Sequence, residues 1–162
     1  MKELLLIRHA KSSWDDFSIP DFDRPLNERG KRDAPEMAER VRKQKIKIDS
    51  LISSPAKRAK KTAEAFSKEF DIEPVFVDEL YHANEQAFIN SILKIPDSVN
   101  TVAIFSHNPG ITDFANSLTP TRTDNIPTTG IFAVRIEADS WKDFLLAQKT
   151  FWFFEYPKKG RD

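Results

Sequence analysis

Cysteine is absent from this chain of 162 residues, and with it go disulfides, thiolate metal sites and any cysteine nucleophile. Glycine is scarce. The four residues Gly30, Gly110, Gly130 and Gly160 are too scattered for a glycine-rich phosphate loop or a dinucleotide fingerprint. The three histidines, His9, His82 and His107, lack the paired spacing that a zinc centre uses, so no metal or other cofactor is expected. Net charge is missing too: Lys+Arg and Asp+Glu both total 25, so no overall field draws the chain to nucleic acid or an anionic membrane. No apolar stretch is long enough to span a bilayer, and Met1-Lys2-Glu3 with the four apolar residues after it is too short for a signal peptide. The cytoplasm is the expected location. What is present, 40% hydrophobic and 31% charged residues, is the balance of one compact domain over residues 1–162.

Short apolar bursts alternate with helical patterns. Strand-like runs occupy Leu4–Ile7, Asp49–Ser53, Pro74–Val77, Val102–Phe105, Phe132–Ile136 and Thr150–Phe154. Between them Ala34, Met37, Ala38 and Val41 recur at helical spacing, as do Ala59, Ala63, Phe66 and Phe70, then Phe88, Ile92 and Ile95, then Ile111, Phe114, Ala115 and Leu118. Asp33 with Glu36 reads as a capping-box pair, Ser54 before Pro55 as an N-cap, and Asn108 before Pro109 as a repeat of that device. The first four strands and their helices read as βαβ units. The last two strands follow a Thr-, Pro- and Asn-rich loop and are candidates for antiparallel pairing. The alternation predicts a three-layer α/β/α sandwich around a mostly parallel sheet of about six strands.

Chemistry-bearing residues cluster just after the predicted strands. Arg8-His9-Ala10 follow the first, Ser53 to Arg58 the second, and Ser106-His107-Asn108-Pro109-Gly110 the fourth. In a parallel sheet those three ends share one edge, the edge where open α/β folds bind ligands. Two arginines supply forked cations, two histidines supply nitrogens that attack or hold protons, and helix N-termini add unpaired N–H groups. A dianionic phosphoryl group matches that set in charge and hydrogen-bond geometry. Asp21-Phe22-Asp23 lies in a polar loop rather than at a strand tip, which argues against an aspartate nucleophile. Histidine itself remains as the nucleophile. The basic stretch Lys57 to Lys61 reads as a solvated helix face, and the tail Lys158-Lys159-Gly160-Arg161 as a solvated terminus.

With these residues assembled, the chain resembles the histidine phosphatase superfamily, and within it the small SixA-type phosphohistidine phosphatases. The resemblance rests on Leu6 to Trp14, Asp23 to Gly30, Ser53 to Ala63 and Ser106 to Pro109. It implies the same three-layer architecture. It also implies His9 as the transiently phosphorylated nucleophile, with Arg8, Arg58 and His107 completing the phosphate pocket and His107 donating from a doubly protonated ring. Ser12 and Asn108 are candidates for further phosphate contacts. Where many members of the superfamily carry a glutamate proton donor, this chain has Leu80-Tyr81-His82, as SixA-type relatives also lack it. His82 and the nearby Glu79 are the candidate donors here, and an imidazole leaving group needs less help than an alkoxide. Short connections imply an open site for a phosphorylated side chain on a signalling or phosphotransfer protein, rimmed by Trp14, Phe17 and Phe22. Two other readings share the pocket: a small-molecule phosphomonoesterase or mutase, and a phosphoprotein-binding module without turnover.

Overall fold

The computed structural model describes residues 1–158, so Lys159 to Arg161 of the basic tail lie outside the described residues. Six strands, β1 (Lys2–Arg8), β2 (Ser50–Ser53), β3 (Val75–Phe76), β4 (Thr101–Ser106), β5 (Ile131–Ile136) and β6 (Lys149–Glu155), form one sheet in the order β3-β2-β4-β1-β5-β6. The first four run parallel, whereas β5 is antiparallel to β1 and β6 to β5. All six predicted runs become strands. The third is cut to two residues because it forms the sheet edge, where Val75 and Phe76 are exposed and Pro74 before them has no N–H to donate.

Helices α1 (Glu28–Lys43) and α2 (Lys57–Phe70) cover one face, and α3 (Glu85–Leu93) and α4 (Gly110–Leu118) the other. The continuous run in β1 explains why both faces need cover. Leu5 and Ile7 pack with Met37, Val41 and Phe66, while Leu4 and Leu6 pack with Phe88, Ile92 and Phe114. All six residues of β4 are buried, as expected of a central parallel strand.

Three helix starts differ from expectation, one of them α4, which has Pro109 in the capping position and no side-chain cap from Asn108. α1 begins earlier than the Asp33–Glu36 pair implies, because Asn27 caps it by accepting from the Gly30 N–H at 2.9 Å. Asp33 is instead a fully buried mid-helix residue paired with Arg29 at 3.3 Å. α2 starts at Lys57 with Ala56 in the capping position and no side-chain cap, and the Ser54 hydroxyl is turned toward His107. Gly30 permits α1 to press on the β1 exit: a Cβ there would lie 2.1 Å from the Lys11 carbonyl oxygen.

Candidate active site

The parallel arrangement puts the carboxyl ends of β1, β2 and β4 on one edge, and the candidate residues meet there. β1 delivers Arg8 and, one residue on, His9; the first turn of α2 delivers Arg58; β4 is followed by His107. The His9 and His107 rings lie 5.0 Å apart, and both residues are 7% exposed. Thr62 ties two of these elements together, since its hydroxyl accepts from the Ala10 N–H and donates to the Arg58 carbonyl, both at 2.8 Å.

The orientation of His9 follows from one bond. Its Nδ1 stands 2.8 Å from the Ala10 carbonyl, which can only accept, so Nδ1 carries the proton and Nε2 keeps its lone pair. Burial first, and then the charges of Arg58, Arg8 and Arg24, push the His9 pKa down to about 3, against the Ala10 bond, which raises it. His107 is pushed down to about 2 by burial first and then by His9 and Arg58. Dehydration and neighbouring positive charge thus favour the neutral His107 ring in the unliganded protein, and the doubly protonated donor expected from the resemblance is a matter for the ligand-bound pocket. Its Nε2 lies 2.7 Å from the Ser54 hydroxyl, while its Nδ1 is buried without a protein partner.

That orphaned nitrogen belongs to a set. Among the described residues, the buried side-chain polar atoms with no partner are Arg8 Nε, Arg58 Nε, His107 Nδ1 and Thr129 Oγ1. Three belong to candidate pocket residues, and the fourth adjoins them, because the Thr129 N–H donates to the Arg8 and His9 carbonyls at 3.0 and 3.1 Å. Buried donors are normally satisfied, so their concentration here makes this the candidate cradle for a ligand that supplies acceptors. Thr129 also has φ 62°, a left-handed conformation strained for a β-branched residue.

Other parts of the site carry no sequence signal, because their contacts are long-range. Asp21, on a short 3₁₀ turn, accepts from Arg58 Nη2 at 3.0 Å, from the Tyr81 hydroxyl at 2.6 Å and from Arg24 Nη2 at 3.0 Å, and its own carbonyl accepts from Arg58 Nη1 at 2.7 Å. Partial burial pushes the Asp21 carboxyl up, but the bonds from Tyr81, Arg24 and Arg58 outweigh it and hold the group well below the usual carboxylate range. Asp21 thus fastens both Nη groups of the Arg58 guanidinium, while its Nε stays buried without a partner. Arg24 is buried, stacks 3.7 Å from the Trp14 ring and donates to the Ser12 hydroxyl.

The remaining candidates divide. Ser12 is buried and held by Arg24 beside the pocket. Asn108 is committed to the protein: it donates to Asn125 Oδ1 at 2.6 Å and to the Ile126 carbonyl at 3.1 Å, and accepts from Thr112 at 2.6 Å. That same Ile126 carbonyl accepts from Arg8 Nη1 at 3.1 Å, so Asn108 supports the wall on which Arg8 rests. His82 is exposed and lines a cleft of about 480 Å³ with Tyr81 and His107. Gly110 lets α4 crowd this segment, as a Cβ there would lie 2.1 Å from the Ala83 carbonyl oxygen. Glu79 is not brought to the cradle; it lines a separate cavity of about 220 Å³ with Ile52, Val75 and Asn90. Of the expected rim, Trp14 and Phe17 are 57% and 87% exposed, and Phe22 packs edge-on against Tyr81 at 5.1 Å.

Comparison with known proteins bears on the family and the fold. A profile of the histidine phosphatase superfamily (branch 1) matches residues 4–88. An uncharacterized protein of Mycobacterium leprae is 31% identical over 164 residues, spanning 94% of this chain and 100% of that one. A crystal structure provisionally named phosphohistidine phosphatase SixA, from Agrobacterium tumefaciens, is 25% identical with a TM-score of 0.81, covering 96% of this chain and 98% of its own. The protein histidine phosphatase SixA complexed with tungstate has the same fold, with a TM-score of 0.82 at 22% identity over 97% and 98% of the two chains.

Proposed function

The chain belongs to the histidine phosphatase superfamily (branch 1), and from that premise we propose that it hydrolyses phosphohistidine carried on a signalling or phosphotransfer protein, through a phospho-His9 intermediate. The observation that carries this reading is the pairing of a buried, neutral imidazole, its Nε2 free to attack, with three orphaned nitrogens on Arg8, Arg58 and His107.

In the first step His9 Nε2 forms a bond to phosphorus as the bond to the departing imidazole nitrogen breaks. Arg8 and Arg58 follow the charge on the equatorial oxygens through that change. The dianion also reverses the electrostatics that keep His107 neutral, so its ring gains a proton and donates as the substrate binds. The departing imidazole takes a proton, for which His82 is the side chain placed on the cleft beside His107. In the second step water attacks phosphorus, phosphate leaves, and His9 returns to its starting state. The metal-free character of this route is part of the proposal.

The protein-borne substrate is supported by the exposed aromatic side chains of Trp14, stacked on Arg24, and Phe17, and by the name provisionally given to the 25% identical Agrobacterium relative. The test compares phosphate release from a phosphohistidine protein with release from sugar phosphates. The expected result is preference for the phosphohistidine protein and loss of turnover in His9→Ala, with acid-labile phosphate trapped on the unmodified enzyme. Preference for sugar phosphates would overturn the substrate assignment, and unchanged turnover in His9→Ala would overturn the covalent route.

A further inference from the structure

Beside the cradle, between α1 and α2, runs a groove of about 560 Å³ that the chemistry does not use. Its floor is apolar: Leu26, Ala34 and Ala65 form a small cluster with the fully buried Ala10, the neighbour of His9. Its rim is cationic, with Lys31, Lys57, Lys61 and Lys68 against the two carboxylates Glu64 and Glu69. Glu69 is taken by Arg42 on α1, and Glu64 by Lys61 at 3.3 Å. Lys57 and Lys68 have no acidic partner among the described residues. A chain whose positive and negative residues balance at 25 each therefore concentrates unanswered positive charge along one apolar channel.

The channel also lies close to the site along the chain and shares the Ala10 cluster that adjoins His9. Lys57 immediately precedes Arg58, and Pro25 and Leu26 directly follow Arg24. From Lys57 to Lys68 it follows about three turns of α2, roughly 16 Å, which an extended segment of about five residues spans.

We propose that this groove docks an acidic segment of the phosphorylated partner, with apolar side chains on the Leu26–Ala34–Ala65 floor and carboxylates facing the lysines. The charge complementarity selects the occupant: a neutral apolar segment would leave Lys57 and Lys68 unanswered, and the groove offers no aromatic face for stacking a nucleobase. The inference rests on the phosphohistidine reading above and names what the partner presents beside its phosphorylated residue.

The experiment uses two synthetic phosphohistidine peptides identical except that one carries Glu and Leu residues in the flanking segment and the other Gln and Leu. With the full chain, the acidic peptide is expected to show kcat/KM about tenfold above the neutral one at low ionic strength, an advantage that shrinks as salt rises. In the double variant Lys61→Glu/Lys68→Glu the advantage disappears while turnover of the neutral peptide is unchanged. Equal kcat/KM for the two peptides, or an advantage that survives the double variant, would overturn the docking groove. Turnover of neither peptide would overturn the phosphohistidine reading itself, and it is told apart because failure of the groove alone leaves both peptides hydrolysed.

Discussion

Acid should loosen this fold through its two buried histidines before it protonates the carboxylates. His9 and His107 have pKa values of about 3 and about 2 in the folded protein, whereas an unfolded histidine titrates near 6.5. Above that pH both states hold neutral rings and stability does not depend on them. As pH falls below it, the unfolded chain binds protons that the folded site refuses, so stability drops, and continues to drop until the folded values are reached. At about pH 5 the unfolded chain gains about 2 kcal/mol per histidine, about 4 kcal/mol for the pair. That loss is set by the unfolded value and is insensitive to the folded values while they stay below about 4. Against a total stability of roughly 5–15 kcal/mol it is large. Urea denaturation of the unmodified chain and of His9→Gln/His107→Gln at about pH 7.5 and about pH 5 measures it, the double variant being expected to lose far less. The same argument places no inflection from either ring near pH 6.5 in kcat/KM, which reports the free enzyme. Equal acid sensitivity of the two proteins would refute the reasoning.

Three further substitutions probe the supports of the site. Thr62→Val removes the hydroxyl that joins the Ala10 N–H to the Arg58 carbonyl, leaves a buried donor unpaired, and should destabilise the protein by about 1–3 kcal/mol in urea denaturation. Gly110→Ala drives a methyl group toward the Ala83 carbonyl, and is expected to lower the thermal midpoint and, by displacing the segment bearing Tyr81 and His82, the turnover as well. Arg58→Ala, assayed with phosphoimidazole, should lower kcat/KM by roughly 10²–10³, the scale of losing one charged donor to a transition-state oxyanion.

The sheet was readable because its strands are buried on both faces and so appear as continuous apolar runs, Leu4–Ile7 most plainly. The meeting of Arg8, His9, Arg58 and His107 was readable because parallel strands place their carboxyl ends together whatever the strand order. Capping was harder. Asp33–Glu36 and Ser54-Pro55 have the right composition for helix starts, but Asn27 caps α1 about a turn and a half earlier, leaving Asp33 mid-helix against Arg29, and Ser54 bonds His107. The sequence argues against Asp21 as a nucleophile but does not show its clamp on Arg58, because its polar loop has no periodicity and its contacts to Arg58 and Tyr81 span 37 and 60 residues of chain. Thr129 was invisible for the same reason: a left-handed backbone at a threonine leaves no trace in composition.

The position of β1 has a consequence for how the molecule is made. Its neighbours in the sheet are β4 and β5, so Glu3 finds its partners only at Thr101 and Arg135. Synthesis therefore delivers the strand that leads to His9 long before its two companions. Throughout that interval Leu4 to Ile7, an apolar run with both edges bare, has no native shelter and invites strand-to-strand association between nascent chains. The candidate site at the end of β1 is complete only after β5 has emerged, a long-range pairing of the kind that slows folding.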